Sequence, residues 1–437
     1  MITKLYLKNY RAYEEISLDF SKVNLFFGPN NSGKSSLLSS LNVLSQTLQS
    51  KDRSVPILLN GNKEELGTYR DVVFNNNVSR NIKIGLNLNV EIRKRILDKE
   101  SGKVFIKDEP TAGFFSVEFK YRPRRREIII NSTESEIPIA AHSMKTICSS
   151  SYRHHLQCFD ETRAKTISGK ARFMNFLPLY MGRYARSSES QRKMMDFHFS
   201  ISEILESLEY ICPFRESPKR TYLFSGISPT SVGIHGEKAI DLLVMDSLKK
   251  GKQKRDIINK VAKWLNQFEI AKDIHLHSLT DRHYEIKLQH FKTGERENLA
   301  DVGFGCSQVL PILIGGYNLR KDDIFIVEEP EIHLHPKAQS ELGSFFYNLC
   351  EKGIQTFIET HSEHLLLRIQ AHVAAGELNP NDIKIYYVYS NAITRKKEVV
   401  EIVLDKHGRF LTQWPEGFFP ERLIEAKKIA KASLKAQ

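Results

Sequence analysis

One stretch near the start of this chain has the residue types and spacing to hold phosphate: Gly28-Pro29-Asn30-Asn31-Ser32-Gly33-Lys34-Ser35. It follows the apolar run Val23 to Phe27 and precedes a run of helical character, Ser36 to Leu48. Strand, glycine-bounded loop and helix form the context in which the spacing G-x-x-x-x-G-K-S binds a nucleotide. The glycines allow a tight turn, so that the backbone at Asn30, Asn31, Ser32 and Gly33 can face phosphate oxygens. The helix that opens at Lys34, Ser35 and Ser36 adds its positive end. Lys34 would reach the β- and γ-phosphates, and the Ser35 hydroxyl would ligate Mg²⁺.

Acids suited to the same chemistry lie near the other end. Ile324-Phe325-Ile326-Val327 is an unbroken apolar run that ends in Glu328-Glu329-Pro330-Glu331. A buried parallel strand that delivers carboxylates at its carboxyl end is what a Mg²⁺-nucleotide site requires. Glu328 is expected to hold Mg²⁺, directly or through water, although Asp is the usual residue there. Glu329 is expected to orient or deprotonate the attacking water as general base. A further strand, Ile354 to Glu359, runs into Thr360-His361-Ser362, which offers His361 as a hydrogen-bond partner for the γ-phosphate or the water. Asp301-Val302-Gly303-Phe304-Gly305-Cys306-Ser307-Gln308 precedes another apolar helical run and reads as a second anion site. One chain needs one cradle, so Ser307 is expected to cap a nucleotide bound by a second subunit, giving at least a dimer.

Ile2 to Leu7 and Ile16 to Phe20 alternate as half-buried strands, with Asn9-Tyr10-Arg11 as the turn between them. Ile82 to Ile92, Phe114 to Tyr121 and Glu127 to Asn131 read as an antiparallel meander. The cluster Arg122-Pro123-Arg124-Arg125-Arg126 reads as a solvated hairpin tip. Residues 137–210 are rich in His, Met, Ser and Arg, and Phe197 to Tyr210 has helical spacing, so this stretch is expected to be a mostly helical insertion. Its histidines (His142, His154, His155, His198) fall at no metal-binding spacing. The expected organisation is an α/β fold in three parts. Residues 1–135 carry the glycine loop and an antiparallel lobe, 136–270 the insertion and a connecting segment, and 271–437 the acidic strand and a basic final helix from Glu421 to Ala436.

At 437 residues more than one lobe is expected. The net charge of +12 suits a phosphate-bearing partner, nucleic acid included, or simply a solvated basic surface. Five scattered cysteines with no C-x-x-C pair point to reduced thiols in the cytoplasm rather than a disulfide framework. No apolar run is long enough to span a bilayer.

The order of the glycine loop, the Gly-x-Gly-x-Ser-Gln segment, Glu-Glu-Pro-Glu and Thr-His-Ser resembles the ABC-type ATPase head of the RecF, SMC and OLD families. Asn9 to Tyr13 resembles their opening segment, which implies that Arg11 lies near the nucleotide. Pro330 to Pro336 resembles their D-loop, and Gly67 to Asp71 stands where a Q-loop would. The resemblance implies ATP and Mg²⁺ as cofactors and ATP hydrolysis as the activity. Ile211 to Arg215 and Trp414 to Phe419 are similar to features of bacterial AAA family ATPases of phage-defence operons, the PtuA type and the AriA type of PARIS systems. This narrower resemblance implies a toxic effector encoded nearby, such as a nuclease, and a phage-derived trigger. The stretch after His361 is short for the TOPRIM nuclease domain of the OLD family, so none is expected in this chain. A RecF-like DNA-clamping ATPase and a nucleotide-stabilised scaffold with negligible turnover are the alternative readings.

Overall fold

Val23 to Phe27 is wholly buried and alternates between two cores: Phe26 faces one, while Val23, Leu25 and Phe27 face the other. Burial on both faces is why the sequence reads as an apolar run, interrupted at buried Asn24, whose amide donates to the carbonyls of Ser21 and Thr356. The structure, a computed structural model, describes residues 1–97, 104–139, 142–149, 155–160, 163–180, 189–415 and 428.

The chain opens with β1 (Ile2–Tyr10), β2 (Tyr13–Asp19), β3 (Val23–Phe27) and α1 (Lys34–Gln49), then a single turn, α2 (Tyr69–Val72). A run of strands follows: β4 (Ile82–Leu97), β5 (Val104–Arg122), β6 (Glu127–Ile139), β7 (His142–Ser149), β8 (His155–Asp160), β9 (Arg163–Met174) and β10 (Leu177–Tyr180). Next come α3 (Glu189–Glu206), β11 (Glu209–Ile211), β12 (Tyr222–Leu223), α4 (Ala239–Leu248), α5 (Ile257–Gln267), β13 (Asp273–Ser278), β14 (His283–Gln289) and β15 (Arg296–Asn298). The rest is α6 (Phe304–Asn318), β16 (Ile324–Glu328), α7 (Pro336–Glu351), β17 (Gln355–Glu359), α8 (Glu363–Ala374), β18 (Ile383–Ser390) and β19 (Lys397–Glu401).

Two large sheets result. One has six strands in the order β11-β16-β17-β3-β18-β19, parallel except for β19. The other is antiparallel, with nine strands in the order β10-β9-β8-β7-β6-β5-β4-β1-β2. Between them α1 buries Leu37, Leu38, Leu41, Leu44 and Leu48 against the first core, together with Met194, Phe197 and Ile201 of α3. Helices α4 to α8 and the small sheet β12 to β15 cover the opposite face of the parallel sheet and form the second core. The fold is mixed α/β, as expected, with a parallel nucleotide-type sheet beside an antiparallel lobe.

The insertion differs from its expected helical character. Within residues 137–210 the described backbone is extended in the strands β6 to β10, with a turn at 175–176, and the helix there is α3; α4 and α5 follow in the connecting segment. Composition misled here in part because an inward position is polar: Thr146 of β7 is buried. A strand whose core face is polar shows no hydrophobic alternation. The arginine cluster does form an exposed hairpin tip between β5 and β6, where Arg122 and Arg125 pair with Glu127. His198 is buried, with Nε2 2.7 Å from the Ser135 hydroxyl, and burial pushes its pKa down to about 3. Cys212, Cys306 and Cys350 are buried free thiols. Among the described residues no helix is long and apolar enough to cross a membrane. The expected final helix, Lys428 apart, and residues 416–419 lie outside the described residues.

Candidate functional site

Parallel strands that share a sheet present their carboxyl ends to one edge, and loops gather there. Here that edge collects the loop after β3, the acids after β16 and the Thr-His-Ser after β17. The order matters: β17 lies between β16 and β3, so the acidic strand and the glycine-loop strand are not neighbours.

The loop is shaped by two glycines in positive-φ conformations, Gly28 at 141° and Gly33 at 111°. Gly33 caps α1, and its carbonyl accepts a hydrogen bond from the Tyr13 hydroxyl at 3.2 Å. Asn31 also has positive φ, and its carbonyl accepts from Lys397 of β19 at 2.6 Å. Asn30, Asn31 and Ser35 are exposed, whereas Ser32, Lys34 and Ser36 are buried. Lys34 folds back into the loop, donating to the carbonyls of Gly28 at 2.8 Å and Pro29 at 2.9 Å.

A residue given no role by the sequence reading sits beside it. Glu359, the last residue of β17, lies 3.6 Å from the Lys34 ammonium and accepts from the Ser35 hydroxyl at 3.0 Å. Burial lowers the Lys34 pKa against the opposing pull of Glu359, and it raises that of Glu359 against the pull of Lys34. Glu328 stands opposite Glu359 in the strand register and accepts from the Tyr210 hydroxyl at 3.2 Å. Burial first, and then the charges of Glu359 and Glu64, push the Glu328 carboxyl up to about 8.

Glu329 has a left-handed backbone, φ 44°, which is uncommon away from glycine. Three contacts hold it: its N–H donates to the Glu359 carbonyl at 2.7 Å, its carbonyl accepts from the Ile332 N–H at 3.3 Å, and Arg215 reaches the same carbonyl at 3.0 Å. Its side chain is 4.0 Å from Nε2 of His361. Burial and the nearby Lys34 charge lower the His361 pKa, so the ring is neutral at pH 7. Buried Glu331 ties the two loops together by accepting from the His361 N–H at 2.6 Å.

Arg215 comes from the Ile211 to Arg215 motif and is buried. It donates to the Glu328 carbonyl at 2.8 Å and to that of Glu329 at 3.0 Å, while its Nε and Nη1 are unpartnered. One guanidinium nitrogen, Nη2, thus bridges both carbonyls and fixes the peptide that aims Glu329. Arg215→Lys places its ammonium one bond short of Nη2, about where the guanidinium carbon lies, and so does not reach both carbonyls. It is expected to lower kcat about ten- to hundredfold, the cost of one or two charged hydrogen bonds, with KM for ATP little changed. Steady-state phosphate release checks this, and a fall in affinity equal to the fall in kcat would remove the positioning role.

Arg11 also has positive φ (48°) and donates to Ser39 of α1 at 3.4 Å; its N–H reaches the Val72 carbonyl, which sets α2 and the Gly67 to Asp71 turn beside it. Ser307 lies inside the first turn of α6 with 5% of its surface exposed. The open feature of that segment is Gly303, beyond which there is free space.

Comparison with known proteins extends these observations. The family described as AAA ATPase domain matches residues 1–366, and the family described as protein of unknown function (DUF3696) matches residues 378–429. A curated relative, the DNA replication and repair protein RecF of Enterococcus faecalis (strain ATCC 700802 / V583), is 51% identical over 47 residues. That match spans 10% of this chain and 12% of the relative. Among solved structures, the SMC head domain from Thermotoga maritima aligns at 9% identity and TM-score 0.38, covering 92% of this chain and 99% of that one. The SmcHead bound to the C-winged helix domain of ScpA aligns at 12% identity and TM-score 0.45, covering 93% and 98%. The match over residues 1–366 takes in the glycine loop, Glu328, Glu329 and His361, and the chain belongs to the AAA ATPase domain family.

Proposed function

We propose that this chain is the ATP-binding and ATP-hydrolysing subunit of a bacterial anti-phage defence complex. It acts in the cytoplasm, oligomerises by sandwiching nucleotides between copies, and holds a toxic effector, such as a nuclease, until a phage-derived trigger releases it. The observation that carries the nucleotide part is the meeting of Lys34 and Ser35 with the strand-end acids at one edge of the parallel sheet.

In this reading the loop amides from Asn30 to Ser36 bind the phosphates, Lys34 leaves its loop carbonyls for the β- and γ-phosphates, and Arg11 lies near the nucleotide. Ser35 and the strand-end carboxyls, Glu328 among them, suit a hard divalent cation: they are buried oxygen donors, and a cation there would favour the ionised forms that burial disfavours. Mg²⁺ held there would neutralise charge on the phosphate oxygens. Glu329 orients and deprotonates the attacking water, and neutral His361 donates a hydrogen bond to the γ-phosphate.

The defence role is supported by the resemblance of Ile211 to Arg215 and Trp414 to Phe419 to ATPases of phage-defence operons; Arg215 of the first motif also reaches the backbone of Glu328 and Glu329. The test is mass measurement and copurification. With a non-hydrolysable ATP analogue the chain is expected to assemble to at least a dimer and to retain a protein encoded next door; an unchanged monomer with no retained partner would refute the complex. The short RecF identity and the exposed arginine tip favour one competitor, a DNA-clamping ATPase. It requires duplex DNA to stimulate hydrolysis at low salt, with binding that weakens steeply as salt rises.

A further inference from the structure

The side-chain hydroxyl that follows a P-loop lysine marks where the metal sits, and here that hydroxyl points to an acid the motifs do not name. Ser35 Oγ is 3.0 Å from Oε2 of Glu359 and 3.4 Å from Oε1. Glu328 engages the opposite side, where its carboxyl accepts from Tyr210 on the edge strand β11. Strand order explains the difference. Glu359 pairs in register with Phe26 of β3, whereas Glu328 is one strand further from the loop. Because Glu328 and Glu359 are register partners on parallel strands, their side chains leave the same face of the sheet.

Glu359 is 6% exposed and faces one ammonium, that of Lys34, which must turn to phosphate when nucleotide binds. Its charge is then left beside Glu328 and Glu329 without a protein cation, a position a divalent ion relieves. Among the described residues no group of three or more His, Cys, Asp or Glu forms a metal cage. Two carboxylates, a hydroxyl and substrate phosphates are the donor set of Mg²⁺, which keeps several waters and seldom takes an all-protein cage.

We propose that Glu359 ligates the divalent cation directly beside Ser35, and that Glu328 acts on it through water. The assignment rests on the nucleotide reading above and names the residue that selects the metal. Glu359 thereby has two partner sets, Lys34 and Ser35 without nucleotide, and the cation with it.

Mn²⁺ is the probe, since it accepts the same oxygen ligands and is read by electron paramagnetic resonance. The full chain is first loaded with a non-hydrolysable ATP analogue in EDTA, then transferred to buffer and titrated with Mn²⁺. Glu359→Gln is expected to weaken Mn²⁺ binding to that complex about tenfold or more, and Glu328→Gln to weaken it less. In EDTA, Glu359→Gln binds the analogue as well as the parent chain or more tightly, because it removes a negative charge facing the triphosphate. Glu359→Asp, which keeps the charge on a shorter arm, falls between the parent and Glu359→Gln and serves alone if the latter does not fold. Equal Mn²⁺ affinity in the parent and Glu359→Gln overturns the assignment. So does weaker analogue binding in EDTA with Mn²⁺ affinity intact, since the carboxylate would then only hold Lys34 and Ser35. A parent chain that binds no analogue overturns the nucleotide reading, and the metal assignment falls with it.

Discussion

Glu329→Gln is expected to keep nucleotide bound and to lower turnover about 10²- to 10⁴-fold, the range for removing a positioned general base. The substitution is isosteric and touches a side chain that is 31% exposed, so packing is unaffected. What changes is proton acceptance, because an amide cannot take a proton from water. The backbone of Glu329 accounts for the size of the effect. A left-handed residue away from glycine costs about 1–3 kcal/mol and persists only where its surroundings hold it. Here the Glu359 carbonyl, the Ile332 N–H and Arg215 all hold it. The chain maintains a strained peptide whose result is a carboxylate 4.0 Å from a neutral His361. The measurements are phosphate release under saturating ATP and equilibrium binding of a fluorescent ATP analogue. Turnover within about threefold of the parent would put the base elsewhere. If turnover is lost while phage protection persists, the nucleotide-stabilised scaffold is the better account.

The same geometry explains what could be read from residues alone. β3 and β16 were legible because each is buried on both faces and has one polar residue, Asn24 or Glu328, whereas β17, with buried Gln355, Thr356 and Glu359, was legible by its place before Thr360-His361-Ser362. The glycine loop was legible because phosphate binding fixes residue types at consecutive positions. Glu359 was not legible as a site residue. Its importance comes from register, Glu328 opposite Glu359 and Glu359 opposite Phe26, which a one-dimensional pattern does not carry. Arg215 was noticed only as part of a family feature; its guanidinium meets carbonyls more than a hundred residues away. Spacing places Ser307 near a helix start, where it is found, but does not say which way it turns, and here it is buried. The strands of the insertion were hidden in part by an inward Thr, and half-exposed Ile147 beside buried Thr146 inverts the usual pattern.

Gly28→Ala is expected to abolish nucleotide binding and to destabilise the fold by several kcal/mol, beyond what a surface substitution costs. Two separate effects act at this residue. Its φ of 141° lies where side chains are rarely tolerated. In addition, a Cβ there would stand 1.9 Å from the carbonyl oxygen of Val388 and 2.9 Å from its carbon. That neighbour is backbone in β18, paired along β3 from Ile383 opposite Val23 to Tyr387 opposite Phe27, so no side chain can swing aside. Either β18 separates from β3 or the loop lifts from the sheet edge, and the second outcome removes the Gly28 carbonyl that holds Lys34. Gly303→Ala separates this mechanism from a general intolerance of larger residues. Its Cβ would meet nothing within 4 Å and its φ is −51°, so the loss is limited to the N-cap preference of α6 and its unfolding free energy should stay within about 1 kcal/mol of the parent. Thermal melts of both variants, with and without ATP, make the comparison. A Gly28→Ala chain that gains the parent's full stabilisation from ATP would mean that phosphate is held without this loop, and that Lys34, Glu359 and Ser35 meet for a structural reason alone.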